Sequence, residues 1–278
     1  MNKYVLDASL ITNDAYDKIR AIIYKKYGIY LSAHKQEFLK SRLSKILRRL
    51  NLSDYDEYLL YLNKLPANDA HWSDFIDAIS TNVTYFLREN FQLDILKQKV
   101  LPTMHDQNQI SIWSAGCSNG SEPFTLKILL REYFEKIGKI STKIQIHGTD
   151  ISKSMINEAV RGVYDQKMLG ELDPLLINKY FKQGINEMTG KYRVKEIIKE
   201  DVFFSIYNLM DMPYNFNKSF DIIFCRNVLI YFDKQTVEDI VTNFFKVLKP
   251  GGFLFLGSSE SLNTMSKKNV GPSIYINE

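Results

Sequence analysis

The sequence predicts an α/β protein with a doubly wound, mostly parallel sheet, a small all-α domain before it and a small β-subdomain inserted into it. Residues from about 14 to 86 show helical periodicity and no convincing strand. From Ile110 onward, short apolar runs alternate with helical stretches, which indicates parallel strands joined by helices. Within 172–202 the pattern changes to short polar runs, which favours an insertion.

These patterns predict the domain boundaries. We expect a helical domain over residues 1–90 and a second domain over 91–278, with Pro102 ending the helix that links them. The insertion contains the runs KYFKQG and KYRVKEI, which are typical of two short strands joined by a turn at Thr189 and Gly190.

Composition limits the classes of function. With 45% apolar and 24% charged residues in 278, the chain is expected to be globular, and a net charge of +4 is too small to indicate a nucleic-acid partner. Cys117 and Cys225 lie in segments that read as buried strand ends or turns, so we expect no disulfide and a reducing compartment. No apolar run approaches a membrane span, and Asp7 interrupts the opening MNKYVLDASL where a signal peptide needs an apolar stretch. The expected location is the cytosol, without membrane insertion.

A glycine-containing turn is the strongest local signal. The run SAGCSNGSEP, residues 114–123, follows an apolar strand and precedes a helix. In a doubly wound sheet, ligands lie beyond the carboxyl ends of the strands, and glycines let the backbone approach them closely. The spacing is Gly-x-x-x-Gly, whereas a dinucleotide fingerprint requires Gly-x-Gly-x-x-Gly, so a pyrophosphate-containing cofactor is disfavoured. Considered alone, the segment also fits a tight turn without a ligand.

An acidic residue follows the second strand of this domain. Asp150 ends the run KIQIHGTD, and a carboxylate at this place can accept hydrogen bonds from both hydroxyls of a ribose. Asp is also a common helix cap, here before Ser152. The order of glycine turn, helix, strand and acid favours a nucleoside-containing cofactor, either S-adenosylmethionine (AdoMet) or a nicotinamide dinucleotide.

Further polar residues are expected at the same edge of the sheet. Asn208 follows VFFSIYNL, where its amide could contact an adenine ring or simply form a turn. The segment CRNVLIYFD places Arg226, Asn227 and Tyr231 after another strand, although Tyr231 could also fill a half-buried gap. Upstream, Thr84 and Arg88 are four residues apart, which predicts one helical face; a surface charge is the plainer reading of the arginine.

Together these segments resemble the chemotaxis receptor glutamate methyltransferases, the CheR family, over nearly the whole chain. TNVTYFLRE is similar to the family's TNxTxFFRE, IWSAGCSNGSEPFT to WSAGCSTGEEPYS, HGTDIS to ATDIS, FDIIFCRNVLIYFD to a signature found almost unaltered, and LKPGGFLFLGSSES to its closing strand pair. The departures are Asn119 for Thr, Ser121 for Glu, Phe124 for Tyr and Leu87 for Phe. The resemblance implies a class I AdoMet methyltransferase with a Rossmann-like sheet.

The resemblance also implies a set of functional residues. Asp150 is expected to hold the ribose, and Arg88 and Tyr231 to lie near the methyl group and the incoming carboxylate as catalytic residues. AdoMet, converted to S-adenosylhomocysteine (AdoHcy), would be bound by Asn82, Thr84, Arg88, Gly116, Glu122, Asp150, Asn208, Leu209, Arg226 and Asn227. No metal is expected. The partner would be the cytoplasmic signalling domain of chemotaxis receptors, contacted by the helical domain and by the β-subdomain of a monomeric enzyme.

The chemistry requires no general base. A glutamate side chain with a pKa near 4.3 is ionised at neutral pH, so its carboxylate can attack the methyl group directly. Two other enzymes and one binding protein remain as alternatives: a methyltransferase for a small molecule or another protein, a nicotinamide oxidoreductase, which the glycine spacing disfavours, and an AdoMet-sensing adaptor without turnover.

One helix carries an excess of positive charge. In the stretch 34–50, Arg42, Lys45 and Arg49 are spaced three and four residues apart and share one face, while Leu39, Leu43, Ile46 and Leu50 form a stripe for the core. An ordinary solvated face explains such a helix. Because methylatable receptor segments are acidic, we also expect these three cations to take part in substrate recognition.

Overall fold

The computed structural model describes residues 11–262 and 268–278, which form two compact units. The helical unit comprises residues 11–81 together with Tyr231–Asp233, and the sheet unit comprises Asn82–Ile230 and the described residues from Lys234 onward. The opening run containing Asp7 lies outside the described residues. No helix in the described ranges is both long and apolar enough to cross a membrane.

The helical unit is built from four helices within its described residues, as the periodicity predicted: α1 (Asn13–Tyr27), α2 (Gln36–Leu50), α3 (Tyr55–Lys64) and α4 (His71–Ile79). The Thr12 hydroxyl caps α1 by accepting a hydrogen bond from the Ala15 N–H. On α2, Leu39, Leu43 and Ile46 are buried as expected, whereas Leu50 is half-buried. The leucine stripe therefore faces the core of this unit.

The prediction that Thr84 and Arg88 share a helical face is wrong. The last helix of the helical unit ends at Ile79, and residues 80–89 form irregular backbone and a turn. Leu87 has a φ of +60°, which a right-handed helix does not allow. The backbone N–H of Phe86 donates instead to the Met168 carbonyl oxygen at 3.0 Å, so its hydrogen bond is satisfied outside a helix.

The first helix of the sheet unit is the predicted linking helix. The α-helical turns of α5 (Asn90–Ile95) continue as a π-helical turn over Leu96–Val100 and a 3₁₀ turn over Leu101–Met104. Pro102 lies in the last of these turns, where a residue without a backbone N–H is tolerated. The helical turns therefore continue to Met104, two residues beyond the end predicted at Pro102.

Strands and helices then alternate, as predicted from the sequence. In chain order they are β1 (Gln109–Ala115), α6 (Ser121–Lys136), β2 (Lys143–Asp150), α7 (Lys153–Arg161), β3 (Val163–Asp165), α8 (Gln166–Leu169), α9 (Pro174–Tyr180), β4 (Phe181–Gln183), β5 (Lys191–Val194), α10 (Glu196–Lys199), β6 (Val202–Ile206), β7 (Phe220–Cys225), α11 (Lys234–Val247), β8 (Leu248–Leu256), β9 (Lys268–Gly271) and β10 (Ile274–Ile276).

The main sheet of the described residues has the strand order β6-β2-β1-β7-β8-β10-β9. Strands β6, β2, β1, β7 and β8 are parallel, and β10 and β9 close the sheet in antiparallel fashion. Side chains such as Ile112, Phe224 and Phe255 fill its buried core. The carboxyl ends of β6, β2, β1 and β7 lie next to one another, which brings the polar segments that follow them to one edge.

A second, three-stranded antiparallel sheet forms the β-subdomain, with the order β3-β5-β4. Strands β4 and β5 are the two strands predicted from KYFKQG and KYRVKEI. Helix α7 ends at Arg161, where Gly162 takes a φ of +59°. Val163–Asp165 then pairs with β5, so the subdomain takes in residues before Leu172.

Candidate functional site

The turn after β1 requires glycine. Gly116 has a φ of +77°, and a Cβ atom added there would lie 2.3 Å from the Cγ2 atom of Val228. The backbone N–H groups of Gly116 and Cys117 both donate to the Thr149 carbonyl oxygen, at 2.8 and 2.9 Å. The turn is therefore tied to the end of β2 and packs against the loop after β7.

Asp150 is held in place by two backbone N–H groups. Its Oδ2 atom accepts from Ser118 at 2.8 Å and its Oδ1 atom from Ser152 at 2.9 Å, and the residue is 8% exposed. The cap of α7 is Ser152, whose hydroxyl accepts from the Met155 N–H. Asp150 is therefore not the helix cap, and its carboxylate is fixed at the carboxyl end of β2.

The end of β6 adjoins Asp150. The backbone N–H of Tyr207 donates to the Asp150 carbonyl oxygen at 2.9 Å, which brings Asn208 and Leu209 to the same edge of the sheet. The Oδ1 atom of Asn208 accepts from the Met210 N–H at 3.1 Å, so this side chain does form a turn. Leu209 is buried.

Glu122 and Arg226 form a buried ion pair between the first turn of α6 and the loop after β7. The Arg226 Nε atom donates to Glu122 Oε2 at 2.7 Å, and the Ser114 hydroxyl donates to Glu122 Oε1 at the same distance. Arg226 also donates from Nη1 to the Arg88 carbonyl oxygen at 2.8 Å. Three segments that are distant in sequence are thus joined by two side chains.

The segment 82–88 lies along the glycine turn. The Ser118 hydroxyl donates to the Asn82 carbonyl oxygen at 3.1 Å, and the Arg88 Nη1 atom donates to the Val83 carbonyl oxygen at 2.6 Å. Thr84 is half-buried within this segment. Ser118 therefore links Asn82 to Asp150, to which the Ser118 N–H also donates.

The two departures from the family turn contact each other. The Asn119 Oδ1 atom accepts from both the backbone N–H and the hydroxyl of Ser121, at 3.2 and 2.7 Å. The Tyr164 hydroxyl donates to the Asn119 carbonyl oxygen at 2.7 Å. This pair braces the turn and connects it to β3 of the β-subdomain.

Two glutamates in the site were missed by the sequence reasoning. Glu89 accepts hydrogen bonds from Asn227 and Ser258. Glu260 accepts from the backbone N–H groups of Gly257, Asn227 and Ile230. Burial raises the pKa of the Glu260 carboxyl, and these hydrogen bonds partly oppose the rise. A glutamate within a glycine- and serine-rich strand end was the available signal for Glu260.

Tyr231 belongs to the helical unit. The backbone N–H of Tyr30 donates to its carbonyl oxygen at 2.7 Å, and in the same short segment the Asp233 carboxylate accepts from the Tyr24 hydroxyl at 2.5 Å. The recognition residues of α2 are also in this unit. Arg42, Lys45 and Arg49 are exposed, and Arg49 forms an ion pair with Asp74 at 2.7 Å.

Both cysteines are buried and free, as expected. Burial raises the pKa of the Cys117 and Cys225 thiols well above the ordinary range, so neither is a thiolate at neutral pH. Neither cysteine therefore has the properties of a nucleophile.

Comparison with known proteins identifies both units. Residues 14–80 match the family model "CheR methyltransferase, all-alpha domain", and residues 82–274 match "CheR methyltransferase, SAM binding domain". The chain is 40% identical to a chemotaxis protein methyltransferase of Borreliella burgdorferi, over 94% of this chain and 92% of that protein. Proteins of the same description match from Salmonella typhimurium, at 36% identity over 93% and 88% of the two chains, and from Escherichia coli, at 32% over 96% and 92%.

Proposed function

Since this chain belongs to the CheR methyltransferase family and is an AdoMet-dependent methyltransferase, we propose that it methylates glutamate side chains of chemotaxis receptors in the cytosol. The observation that carries the proposal is the set of polar groups at one edge of the parallel sheet. Asp150 ends β2, and Glu122 and Asn227 follow β1 and β7, which are its neighbours in the sheet.

These residues fit AdoMet. Asp150 is buried and held by two backbone N–H groups, and a carboxylate at the end of this strand suits the two ribose hydroxyls. The Oδ1 atom of Asn227 is a buried acceptor without a hydrogen-bond partner among the described residues, which suits a donor group of a ligand. In the proposed site, Asn208 and Leu209 contact the adenine ring, and Gly116 allows the backbone to approach the cofactor.

The remaining cofactor residues surround the methionine part of AdoMet in this proposal. Glu122 is neutralised by Arg226, so the pair adds little net charge beside the sulfonium. Asn82 and Thr84 lie on the segment that Ser118 ties to the turn. Arg88 is the next charged group along this segment, and together with Tyr231 it would orient the incoming carboxylate.

When bound, AdoMet supplies a methyl group that passes to a carboxylate oxygen as the carbon–sulfur bond breaks, giving an ester and AdoHcy. No proton is transferred, so the protein needs no base. Its residues position the two reactants and exclude water, which can lower a barrier by roughly 7 to 11 kcal/mol. Because a cation and an anion become neutral products, a site without a strong uncompensated charge favours the transition state.

The proposed receptor contacts are the exposed cations of α2 and the β-subdomain. The subdomain has a cavity of about 290 Å³ whose lining includes Lys182, Lys191 and Arg193 beside Ile185 and Met188. Cations beside exposed apolar side chains suit an acidic peptide that also carries an apolar side chain. Both surfaces therefore support an acidic receptor segment as the substrate.

Two measurements test the cofactor assignment. Asp150→Ala should abolish measurable AdoMet binding by calorimetry while thermal unfolding stays cooperative, because two ribose hydroxyls lose their acceptor. A loss below about fivefold, roughly 1 kcal/mol, would overturn the ribose assignment. Titration with NAD should give no heat of binding, which separates this enzyme from an oxidoreductase.

The substrate is tested by transfer of label from methyl-tritiated AdoMet to a panel of receptor signalling domains. We expect base-labile label on receptor. Label on a small molecule or another protein instead would favour a different methyltransferase, and binding of AdoMet without transfer to any acceptor would indicate an adaptor.

A further inference from the structure

The carboxamide of Asn227 is held in a defined way. Its Nδ2 atom donates to the Glu89 Oε1 atom at 3.1 Å, and its Oδ1 atom is buried without a partner among the described residues. Its backbone has a φ of +59°, and the backbone N–H donates to Glu260 Oε2 at 3.0 Å. Because the backbone is fixed, rotation of the amide group is the main freedom left to this side chain.

The Glu89 carboxylate determines which atom of the Asn227 amide group points away from it. If the amide were flipped, its carbonyl oxygen would lie about 3 Å from a carboxylate, and two acceptors without a proton between them repel. The favoured orientation therefore donates –NH₂ to Glu89 and leaves the carbonyl oxygen as the unused acceptor.

The Glu89 carboxylate is itself anchored. Both oxygens accept from the Ser258 N–H, at 3.3 and 3.2 Å, and Oε1 also accepts from the Ser258 hydroxyl at 2.9 Å. Arg226 Nη1 lies 3.9 Å from Oε2. The Glu89 side chain is 14% exposed and its backbone has a φ of +54°. A charged residue in such a backbone conformation is costly, and it persists where its surroundings determine its place.

We propose that Glu89 is a positioning residue that holds the Asn227 carbonyl oxygen as the acceptor for the α-ammonium group of AdoMet. The ligand group follows by elimination, because the other donors of AdoMet are the ribose hydroxyls, assigned to Asp150, and the adenine amino group, whose ring the proposed site places beside Asn208 and Leu209. A neutral carbonyl oxygen backed by an anionic carboxylate suits a cationic donor. This inference rests on the proposed AdoMet site.

The test exchanges the carboxylate at position 89 and the amide at position 227. Asn227→Asp alone places two carboxylates in contact, and it should weaken AdoMet binding at least tenfold, about 1.4 kcal/mol. Glu89→Gln alone leaves both amide orientations accessible and should weaken binding about threefold to tenfold. In the double variant Glu89→Gln/Asn227→Asp, the amide introduced at position 89 can donate to the carboxylate introduced at position 227, and its carbonyl oxygen can still accept from Ser258.

The double variant should therefore bind AdoMet more tightly than Asn227→Asp alone. Binding in the double variant that is as weak as the two separate losses combined would overturn the inference. Glu135→Gln removes an exposed carboxylate from α6 and should leave the dissociation constant unchanged.

A second measurement separates positioning from a general structural effect. Glu89→Gln should weaken AdoHcy by a larger factor than it weakens an AdoHcy analogue that lacks the α-amino group. Equal factors for the two ligands would remove the ammonium assignment. If Asp150→Ala abolishes AdoMet binding but the double variant binds AdoMet no better than Asn227→Asp, only this inference fails. If the wild-type protein binds no AdoMet, the proposed function fails as well.

Discussion

Arg226 donates from Nε to Glu122 Oε2 at 2.7 Å, and the two side chains are 4% and 12% exposed. Removing one partner of a buried pair leaves the other charge unpaired, which commonly costs about 3 to 5 kcal/mol. We predict a loss of this size in the free energy of unfolding for Arg226→Ala, measured by denaturant titration, together with loss of AdoMet binding.

The helical unit provides the matched control. Arg49 forms a pair with Asp74 at the same distance, but these side chains are 55% and 51% exposed. Arg49→Ala should cost less than about 1 kcal/mol, because solvent screens an exposed pair. Equal losses for the two variants would show that burial does not determine the contribution of the Glu122 pair.

Comparison of Gly116 with Gly138 separates the effect of a steric clash on stability from the effect of backbone strain. Both have a positive φ, +77° and +75°, but a Cβ atom at Gly116 meets Val228 at 2.3 Å, whereas at Gly138 no atom of the described residues lies within 4 Å. Gly138→Ala should cost about 1 to 2 kcal/mol from strain alone and leave AdoMet affinity unchanged. Gly116→Ala should cost more and weaken AdoMet binding, as measured by denaturation and calorimetry; equal effects would contradict the account of the turn.

Arg88→Ala and Tyr231→Phe should lower turnover much more than they weaken AdoMet binding, because both residues are assigned to the reacting centre. Steady-state kinetics with a receptor fragment and separate calorimetry with AdoMet give the two quantities. An unchanged turnover number in both variants would contradict the assignment.

Charge on α2 should affect the receptor and not the cofactor. Reversal of Arg42, Lys45 and Arg49 to Glu should raise the KM for the receptor and make activity less sensitive to salt, because steering by opposite charge is lost. The control reverses the exposed Lys99 and Lys136 of the sheet unit. The receptor KM and its dependence on salt are measured at two ionic strengths. If both are unaltered in the triple variant, this face of α2 is an ordinary solvated surface and does not recognise the receptor. The Arg49→Ala protein shows how much of the effect comes from the ion pair with Asp74.

We predict that His147 makes the free energy of unfolding depend on pH. Burial, with the positive charge of Lys218, lowers the pKa of the imidazole to about 4, and Lys218 donates to its Nε2 atom. The unfolded value is about 6.5, so the unfolded chain binds more protons between pH 6.5 and 4. The stabilising contribution of neutral His147 to the folded protein is present above pH 6.5 and is lost as the pH falls from 6.5 to 4. Over this pH range, the free energy of unfolding of the wild-type protein should fall by about 1 kcal/mol more than that of His147→Gln, allowing for solvent screening. Parallel plots of the free energy of unfolding against pH for the two proteins would contradict the lowered pKa.

The sequence predicted the elements whose periodicity comes from packing. Runs such as FDIIFC read as buried strands because both faces of β7 are covered, and the glycine turn and Asp150 follow from their place after such strands. The course of residues 80–89 was not predictable, because their hydrogen bonds go to Thr125, Met168 and other distant groups.

Glu89 was missed for a similar reason. Glu89 contacts Asn227 across 138 positions and Ser258 across 169. A side chain whose partners are that distant has no local pattern. The strand β3 was also missed, because its pairing with β5 depends on residues almost thirty positions later.

The most direct measurement follows methyl label from AdoMet into a receptor signalling domain with wild-type enzyme. The account predicts that peptides of the labelled receptor carry methyl esters on glutamate, that mild base releases the label as methanol, and that replacing the modified glutamates by alanine abolishes incorporation. Stable label on nitrogen or sulfur, or label that persists when every modified glutamate is replaced, would contradict glutamate methylation as the function of this enzyme.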